Sequence, residues 1–302
     1  MIYQNYKFNV PKEKQVRLIT NTDAKNEADD QFAIVHALLS PKCDNVGLVA
    51  AHYGINRDLD SMEKSYDEII NILDIMQMKE SVPVFKGAST PMKSTSTPID
   101  SEGARFIIEE AMKEDDRPLF VIFLGPVTDI ASAYLLEPRI AKRLTVIWIG
   151  GGQYPVGGPE FNLGNDKHAA NVLFSSPIEV WQVPKDVYEM MPVSLAELEY
   201  KVEPCGKIGK YLFDQLVSHT MEEIPRKSVF RTGETWVLGD SPAVGLILYE
   251  HRFCFDFVEA PLIGENEEYI HTKRNRPIRV YKSVDARLIL EDFYAKLALF
   301  QP

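Results

Sequence analysis

The chain has 302 residues, of which 45% are hydrophobic and 25% are charged, as in an ordinary globular protein. Its net charge of −11, from 44 acidic and 33 basic residues, argues against a nucleic-acid partner, which needs a basic surface. No stretch approaches the roughly 18 apolar residues of a membrane span, and the N-terminus lacks the apolar core of a signal peptide. We therefore expect a cytoplasmic protein without a membrane partner.

Strand-like and helix-like patterns alternate along most of the chain, with no linker or repeat between them. Strands are predicted at 16–20, 45–54, 118–125, 144–152, 178–184, 254–263 and 278–284, with 82–88 a strand or a loop. Helices are predicted at 29–39, 58–78, 104–113, 128–136, 166–174, 193–250 and 285–298. This alternation predicts one α/β domain over residues 1–302, with a mostly parallel central sheet flanked by helices.

Ligands of open α/β sheets bind beyond the carboxyl ends of the strands, so the residues after the first strand are of interest. Four acidic residues, Asp23, Glu27, Asp29 and Asp30, lie there within eight positions. Such carboxylates repel one another, and a hard divalent cation such as calcium would relieve the repulsion. The alternative is that Asp29 and Asp30 cap the next helix, whose N-terminal dipole favours acidic side chains.

Four segments, in order, resemble sequence blocks of the inosine–uridine-preferring nucleoside hydrolase family. They are "NTDAKNEADDQFAIVHALL" (21–39), "FLGPVTDIASAYLLEP" (123–138), "IWIGGGQYPVGGPEFNLGNDKHAANVLF" (147–174) and "GDSPAVGLILYE" (239–250). The resemblance implies a Rossmann-like core and calcium-dependent hydrolysis of the N-glycosidic bond of ribonucleosides or related N-ribosides, releasing base and ribose for purine or pyrimidine salvage. It also implies a homo-oligomer, either a dimer or a tetramer.

The resemblance assigns the calcium ion to Asp23, Asp30 and Asp240, together with the backbone carbonyl of Thr128. It also makes Asp23 the base that takes a proton from the attacking water. The alternative for Asp240 is a helix cap ahead of Pro242.

The same resemblance assigns the sugar to a second group of residues. Asp29 would bind a ribose hydroxyl, Glu160 and Asn162 would bind further hydroxyls, and Gln153 lies near the family's upstream asparagine. The alternative for "PEFN" (159–162) is an ordinary turn.

The chain departs from the family pattern at three places. Five residues instead of three separate the first aspartate from the Asp-Asp pair, so Asn26 or Glu27 can reach the substrate. Gly239 replaces a histidine that would protonate the departing base, so the donor lies elsewhere or the leaving group needs little help. His52 follows the second strand where an asparagine is expected.

Two side chains are candidates for contacting the substrate because of these departures. His52 is a possible ligand contact or proton donor, and Trp236 a possible platform for the base. The alternatives are a structural histidine and a core tryptophan.

Two other functions compete with the hydrolase. One is a ribose- or nucleoside-binding protein that keeps the metal and sugar contacts but has lost turnover. The other is a metal phosphohydrolase, against which the absence of a glycine-rich phosphate cradle at the strand ends counts.

Overall fold

The computed structural model describes residues 1–223, 233–249 and 253–301. Within them, eight strands form one sheet in the order β3-β2-β1-β4-β5-β6-β12-β9, in which all neighbours are parallel except β12 and β9. These strands are β1 (Val16–Thr22), β2 (Cys43–Ala50), β3 (Val84–Lys86), β4 (Leu119–Phe123), β5 (Thr145–Ile149), β6 (Glu179–Val183), β9 (Phe255–Glu259) and β12 (Pro277–Tyr281). The predicted α/β fold with a mostly parallel sheet is confirmed.

Two small antiparallel sheets lie outside the large one. They pair β7 (Pro192–Ser194) with β8 (Thr235–Val237), and β10 (Leu262–Ile263) with β11 (Tyr269–Ile270).

The helices connect the strands in chain order. They are α1 (Asp30–Leu38), α2 (Ser61–Ile75), α3 (Glu102–Ala111), α4 (Thr128–Leu136), α5 (Phe161–Asn165), α6 (Lys167–Ser175), α7 (Lys185–Tyr188), α8 (Leu195–Lys201), α9 (Gly206–Ser218), α10 (Ser241–Tyr249) and α11 (Ala286–Leu299). No helix in the described ranges is both long and apolar enough to cross a membrane.

The sheet separates two apolar cores. In β4, Val121 packs on one side with α3, α4 and α6, whereas Ile122 packs on the other with α1, α2, α10 and α11. Because alternate residues of a strand point to opposite faces, a strand covered by helices on both sides must be apolar throughout, as "LFVIF" is.

The prediction of helix over 193–250 was partly wrong. The strands β7 and β8 interrupt it, while α8, α9 and α10 account for most of the remaining described residues. Residues 224–232 and 250 of the predicted helix lie outside the described residues. The predicted strand over 254–263 is two strands, β9 and β10. The strands β7 and β8 have three residues each, too few to show an alternating pattern, which explains why they were missed in the segment predicted to be helical.

The strand order creates a crevice at the carboxyl ends of β1 and β4. The chain moves outward from β1 through β2 and β3, then returns to place β4 on the other side of β1. Asn21 of β1 is in register with Phe123 of β4, so Asp23 and Leu124 both emerge at this crevice. Ligands bind at such switch points in open α/β sheets.

Candidate active site

A pocket of about 350 Å³ opens at this crevice. Its walls come from the loop after β1, the ends of β4 and β5, the start of α5, the end of α7 and the residues before α10. The lining residues are Asp23, Asn26, Glu27, Asp29, Asp30, Leu124, Ile149, Glu160, Phe161, Asn162, Tyr188, Gly239 and Asp240. Eight of the residues predicted from the sequence are therefore brought together: Asp23, Asn26, Glu27, Asp29, Asp30, Glu160, Asn162 and Asp240.

Among the described residues, three carboxylates lie close enough together to hold one metal ion. One oxygen each from Asp29, Asp30 and Asp240 lies within 4.8 Å of the others, and all three side chains are buried. The sequence predicted Asp23 rather than Asp29 in this trio. Asp23 lines the same pocket, and its buried Oδ2 has no hydrogen-bond partner among the described residues. This set of oxygen donors, one of them unsatisfied, fits a hard divalent cation.

The fold holds Asp23 and Asp30 in place from two sides. Asp23 follows directly on β1, and a Cβ at Gly125, after β4, would lie 2.7 Å from the Asp23 carboxyl carbon. Only glycine lets the backbone approach this closely. The Thr22 hydroxyl, at the last position of β1, donates a hydrogen bond to Asp30 Oδ1.

Asp29 does not serve as a side-chain cap for α1. It is the N-cap residue, but its side chain accepts no hydrogen bond from the first turn of that helix. Its carboxylate instead interacts with backbone amides at Gly239 and Asp240, on the opposite wall. The capping alternative therefore does not account for Asp29, which faces the pocket.

Burial and mutual repulsion raise the pKa of every carboxyl group in the cluster. The pKa of both Asp29 and Asp30 is raised to about 7, chiefly by burial, and like charges nearby add to the effect. The pKa of Asp23 and that of Asp240 are raised well above the usual range for the same two reasons. Glu27, which lines the same pocket, has its pKa raised to about 8 by burial and by Asp29.

Glu160 and Asn162 frame the opposite side of the pocket. Glu160 caps α5, since its carboxylate accepts from the backbone amides of Asn162 (3.1 Å) and Leu163 (2.9 Å). Asn162 Nδ2 donates to the backbone carbonyls of Leu124 (2.8 Å) and Ile149 (2.9 Å). Both donor hydrogens of Asn162 are thus used within the protein, which leaves its Oδ1 as the atom available to a ligand.

Thr128 and His52 do not line this pocket. His52 is 0% exposed, and its Nε2 lies 3.0 Å from Thr128 Oγ1, which donates to Asp166 Oδ2 at 2.8 Å. Burial lowers the pKa of His52 to about 4, so it is a neutral, hydrogen-bonded structural histidine. Leu124 is the residue from this part of the chain that lines the pocket, and its backbone carbonyl accepts the hydrogen bond from Asn162 Nδ2.

Gln153 and Trp236 also lie away from the pocket lining. Gln153 lines a separate pocket of about 510 Å³, together with Lys185 and Glu189. Trp236 lies in β8, is 6% exposed and makes an edge contact with His219. Trp236 is thus mostly buried outside the described lining, and its role as a platform for a base stays a prediction.

Tyr188 and Phe161 are pocket residues that the sequence analysis did not identify. Tyr188 ends α7 and donates to Glu160 Oε1 at 3.0 Å. The guanidinium of Arg57 lies 3.8 Å from the centre of the Phe161 ring and donates to Asn26 Oδ1 at 3.1 Å. Phe161 follows the predicted Glu160 and could have been included for that reason, whereas no sequence pattern marks Tyr188.

Comparison with known proteins shows which family and fold this chain resembles. A family model described as "Inosine-uridine preferring nucleoside hydrolase" matches residues 18–290. Probable uridine nucleosidase 2 of Arabidopsis thaliana is 25% identical over 223 residues, which cover 65% of this chain and 67% of that protein. The pyrimidine-specific ribonucleoside hydrolase RihB of Escherichia coli is 25% identical over 230 residues, with coverage of 66% and 69%.

A similar solved structure is the purine-preferring ribonucleoside hydrolase from Gardnerella vaginalis. It superposes with a TM-score of 0.78 at 21% identity, covering 93% of this chain and 98% of that one. At this identity the likeness establishes the fold. The match of the family model over most of the chain confirms the predicted enzyme class, an N-glycosyl hydrolase of ribonucleosides. The chain therefore belongs to the inosine–uridine preferring nucleoside hydrolase family.

Proposed function

We propose that this enzyme hydrolyses the N-glycosidic bond of neutral ribonucleosides, with a calcium ion held by Asp29, Asp30, Asp240 and Asp23. The observation that carries the proposal is the buried carboxylate cluster, in which three oxygens lie within 4.8 Å of one another at the switch point of the sheet. Without a cation, such a cluster is costly, because buried like charges repel. When bound, calcium would lower the pKa of a water molecule and orient a sugar diol.

The protein's own groups supply the remaining requirements of the reaction. Asp23 Oδ2 is buried and without a hydrogen-bond partner among the described residues, so it is free to take the proton of the attacking water. Cleavage of a glycosidic bond passes through an oxocarbenium-like transition state, which carboxylates stabilise. Asn162 Oδ1 and the Glu160 carboxylate face the same pocket and would accept hydrogen bonds from the sugar hydroxyls.

The charge of the pocket favours an unphosphorylated substrate. Six carboxylates line it, and none of its described lining residues is a lysine or an arginine. A phosphate group would be repelled there and would find no cationic side chain in the lining. We therefore propose nucleosides rather than nucleotides as substrates.

The test is release of base and reducing sugar from inosine, adenosine, guanosine, uridine and cytidine, with calcium and after chelation. We expect release from at least one nucleoside, its loss on chelation and its return when calcium is added. Absence of release from every nucleoside with calcium present would overturn the hydrolase, and activity that survives chelation would overturn the calcium proposal. Calorimetric binding of nucleosides without release would instead identify a binding protein that has lost turnover.

Asp23→Asn tests the proposed base and should abolish release, since the amide cannot accept the proton. Asp214→Asn is a matched control, because Asp214 lies exposed on α9, paired with Lys210, away from the pocket. Full activity of Asp23→Asn would contradict its assigned role. A homo-oligomeric state and a cytoplasmic location remain predictions, which light scattering and cell fractionation would check.

A further inference from the structure

Gly239, the residue before Asp240, has no side chain, and the ring of Tyr188 from α7 lies next to the space that a side chain at 239 would fill. A Cβ added at Gly239 would lie 3.1 Å from Tyr188 Cδ2 and 3.4 Å from Asp29 Oδ2. Any larger side chain at 239 would have to displace the Tyr188 ring or enter the carboxylate cluster. Gly239 and Tyr188 therefore form a matched pair in one wall of the pocket.

The small β7–β8 sheet fixes this pair. Met191, three residues after Tyr188, accepts a backbone hydrogen bond from Leu238 at 2.9 Å, and Pro192 of β7 is in register with Val237 of β8. On the N-terminal side, the backbone amide of Tyr188 donates a hydrogen bond to the carbonyl of Pro184, the residue before α7, at 3.0 Å. The ring is thus held on a short helix that is tied to the segment carrying Gly239.

The hydroxyl of Tyr188 reaches across the pocket to Glu160. The Glu160 carboxylate accepts three hydrogen bonds from backbone amides, those of Gly151 (2.7 Å), Asn162 (3.1 Å) and Leu163 (2.9 Å). A fourth hydrogen bond, at 3.0 Å, comes from the side-chain hydroxyl of Tyr188. Tyr188 is therefore the one side-chain donor to this carboxylate among the described residues. It donates to Oε1 of Glu160, a residue that lines the pocket in which the sugar is proposed to bind.

We propose that Tyr188 is the positioning residue of the sugar pocket: its hydroxyl fixes the Glu160 carboxylate, and its ring closes the wall that Gly239 leaves open. The proposal rests on the proposed function, because it takes Glu160 as a sugar contact. The departing base is not involved, so the effect of Tyr188 is the same for every leaving group.

The first experiment compares Tyr188→Phe with the wild type on two substrates that share the sugar. One is the best nucleoside, and the other is p-nitrophenyl riboside, whose leaving group departs without a proton. Loss of a hydrogen bond to a charged group predicts a fall in kcat/KM of roughly 10- to 100-fold for both, mainly through KM. Because Glu160 keeps its three backbone donors, the variant should fold, with a melting temperature lowered by no more than about 5 °C. Equal kinetics of variant and wild type would overturn the proposal, as would a loss confined to the nucleoside.

The second experiment is a double-mutant cycle on the matched pair. Gly239→Ala alone should lower kcat/KM, because its Cβ pushes against the Tyr188 ring. In the Tyr188→Ala background, which removes the ring, the same Gly239→Ala change should have no further effect. Additive losses would show that the two positions act independently and would contradict the pairing.

A third measurement separates this proposal from the proposed function. If the wild type hydrolyses neither substrate, the affinity for D-ribose in the presence of calcium is measured by calorimetry instead. Weaker binding by Tyr188→Phe would support the positioning role even without turnover, whereas equal affinity would overturn it. A wild type that neither hydrolyses ribosides nor binds ribose would overturn both proposals.

Discussion

Replacing Asp240 by asparagine should have opposite effects with and without calcium. Asparagine keeps the shape of the side chain but removes one of the three clustered charges. In the calcium-free protein, this relieves repulsion and should stabilise the fold. With calcium present, the variant should lose both the stabilisation by the ion and the enzymatic activity.

The magnitude follows from the distances and the pKa shifts. Two like charges about 5 Å apart repel by about 3 kcal/mol at the effective dielectric constant of a protein site. Calcium at about 100 times its Kd would stabilise the wild type by about 2.7 kcal/mol. In a chain of this length, each effect corresponds to a shift in melting temperature of about 5 °C.

The pH dependence has a definite sign. The folded pKa of Asp29 and of Asp30 is about 7, above the ordinary 3.8, so the folded state binds more protons than the unfolded state between these values. The calcium-free protein therefore loses stability as the pH rises from about 4 to about 7. Because protons and calcium compete for the same carboxylates, stabilisation by calcium should grow from pH 5 to pH 8.

The assay is thermal unfolding of the wild type, Asp240→Asn and the control Asp214→Asn, each with chelator and with calcium at several pH values. We expect Asp240→Asn to melt above the wild type in chelator at pH 8 and to be insensitive to calcium. The control should follow the wild type throughout. A variant that melts well below the wild type in chelator, or that calcium stabilises as strongly as the wild type, would refute the reasoning.

Two further predictions concern residues near the cluster. Gly125→Ala places a Cβ 2.7 Å from the Asp23 carboxyl carbon. Displacement of this carboxylate should lower kcat/KM by roughly 100-fold. Wild-type kinetics of the variant would contradict the close approach of Gly125 to Asp23. His52→Ala removes a buried hydrogen-bond partner of Thr128. It should lower the unfolding free energy by about 1–3 kcal/mol and leave KM unchanged. A changed KM without loss of stability would show that His52 contacts the substrate.

The sequence predicts the part of the site that depends on strand ends. Apolar strands alternating with helices are a strong signal, and ligands of such sheets lie at the carboxyl ends. Asp23 and Asp30 follow from this rule together with the cation chemistry of carboxylates. The convergence of Asp240 on them, from more than 200 residues along the chain, came from the family resemblance and not from any local pattern.

The remaining features depend on side-chain direction and on long-range pairing, which spacing does not reveal. His52 also follows a strand, but its ring turns into the protein and bonds to Thr128. Tyr188 reaches the pocket because β7 pairs with β8, and each of these strands has only three residues. Such short strands were hidden within a segment predicted to be helical, so the wall formed by Tyr188 and Gly239 could not be anticipated.

The most direct test of the account is a crystal structure of the protein with calcium and ribose. We predict one calcium ion bound to carboxylate oxygens of Asp23, Asp29, Asp30 and Asp240 at about 2.3–2.6 Å, with the ribose hydroxyls completing its coordination. An ion bound elsewhere, or ribose seated in the pocket with these aspartates holding no cation, would contradict the account.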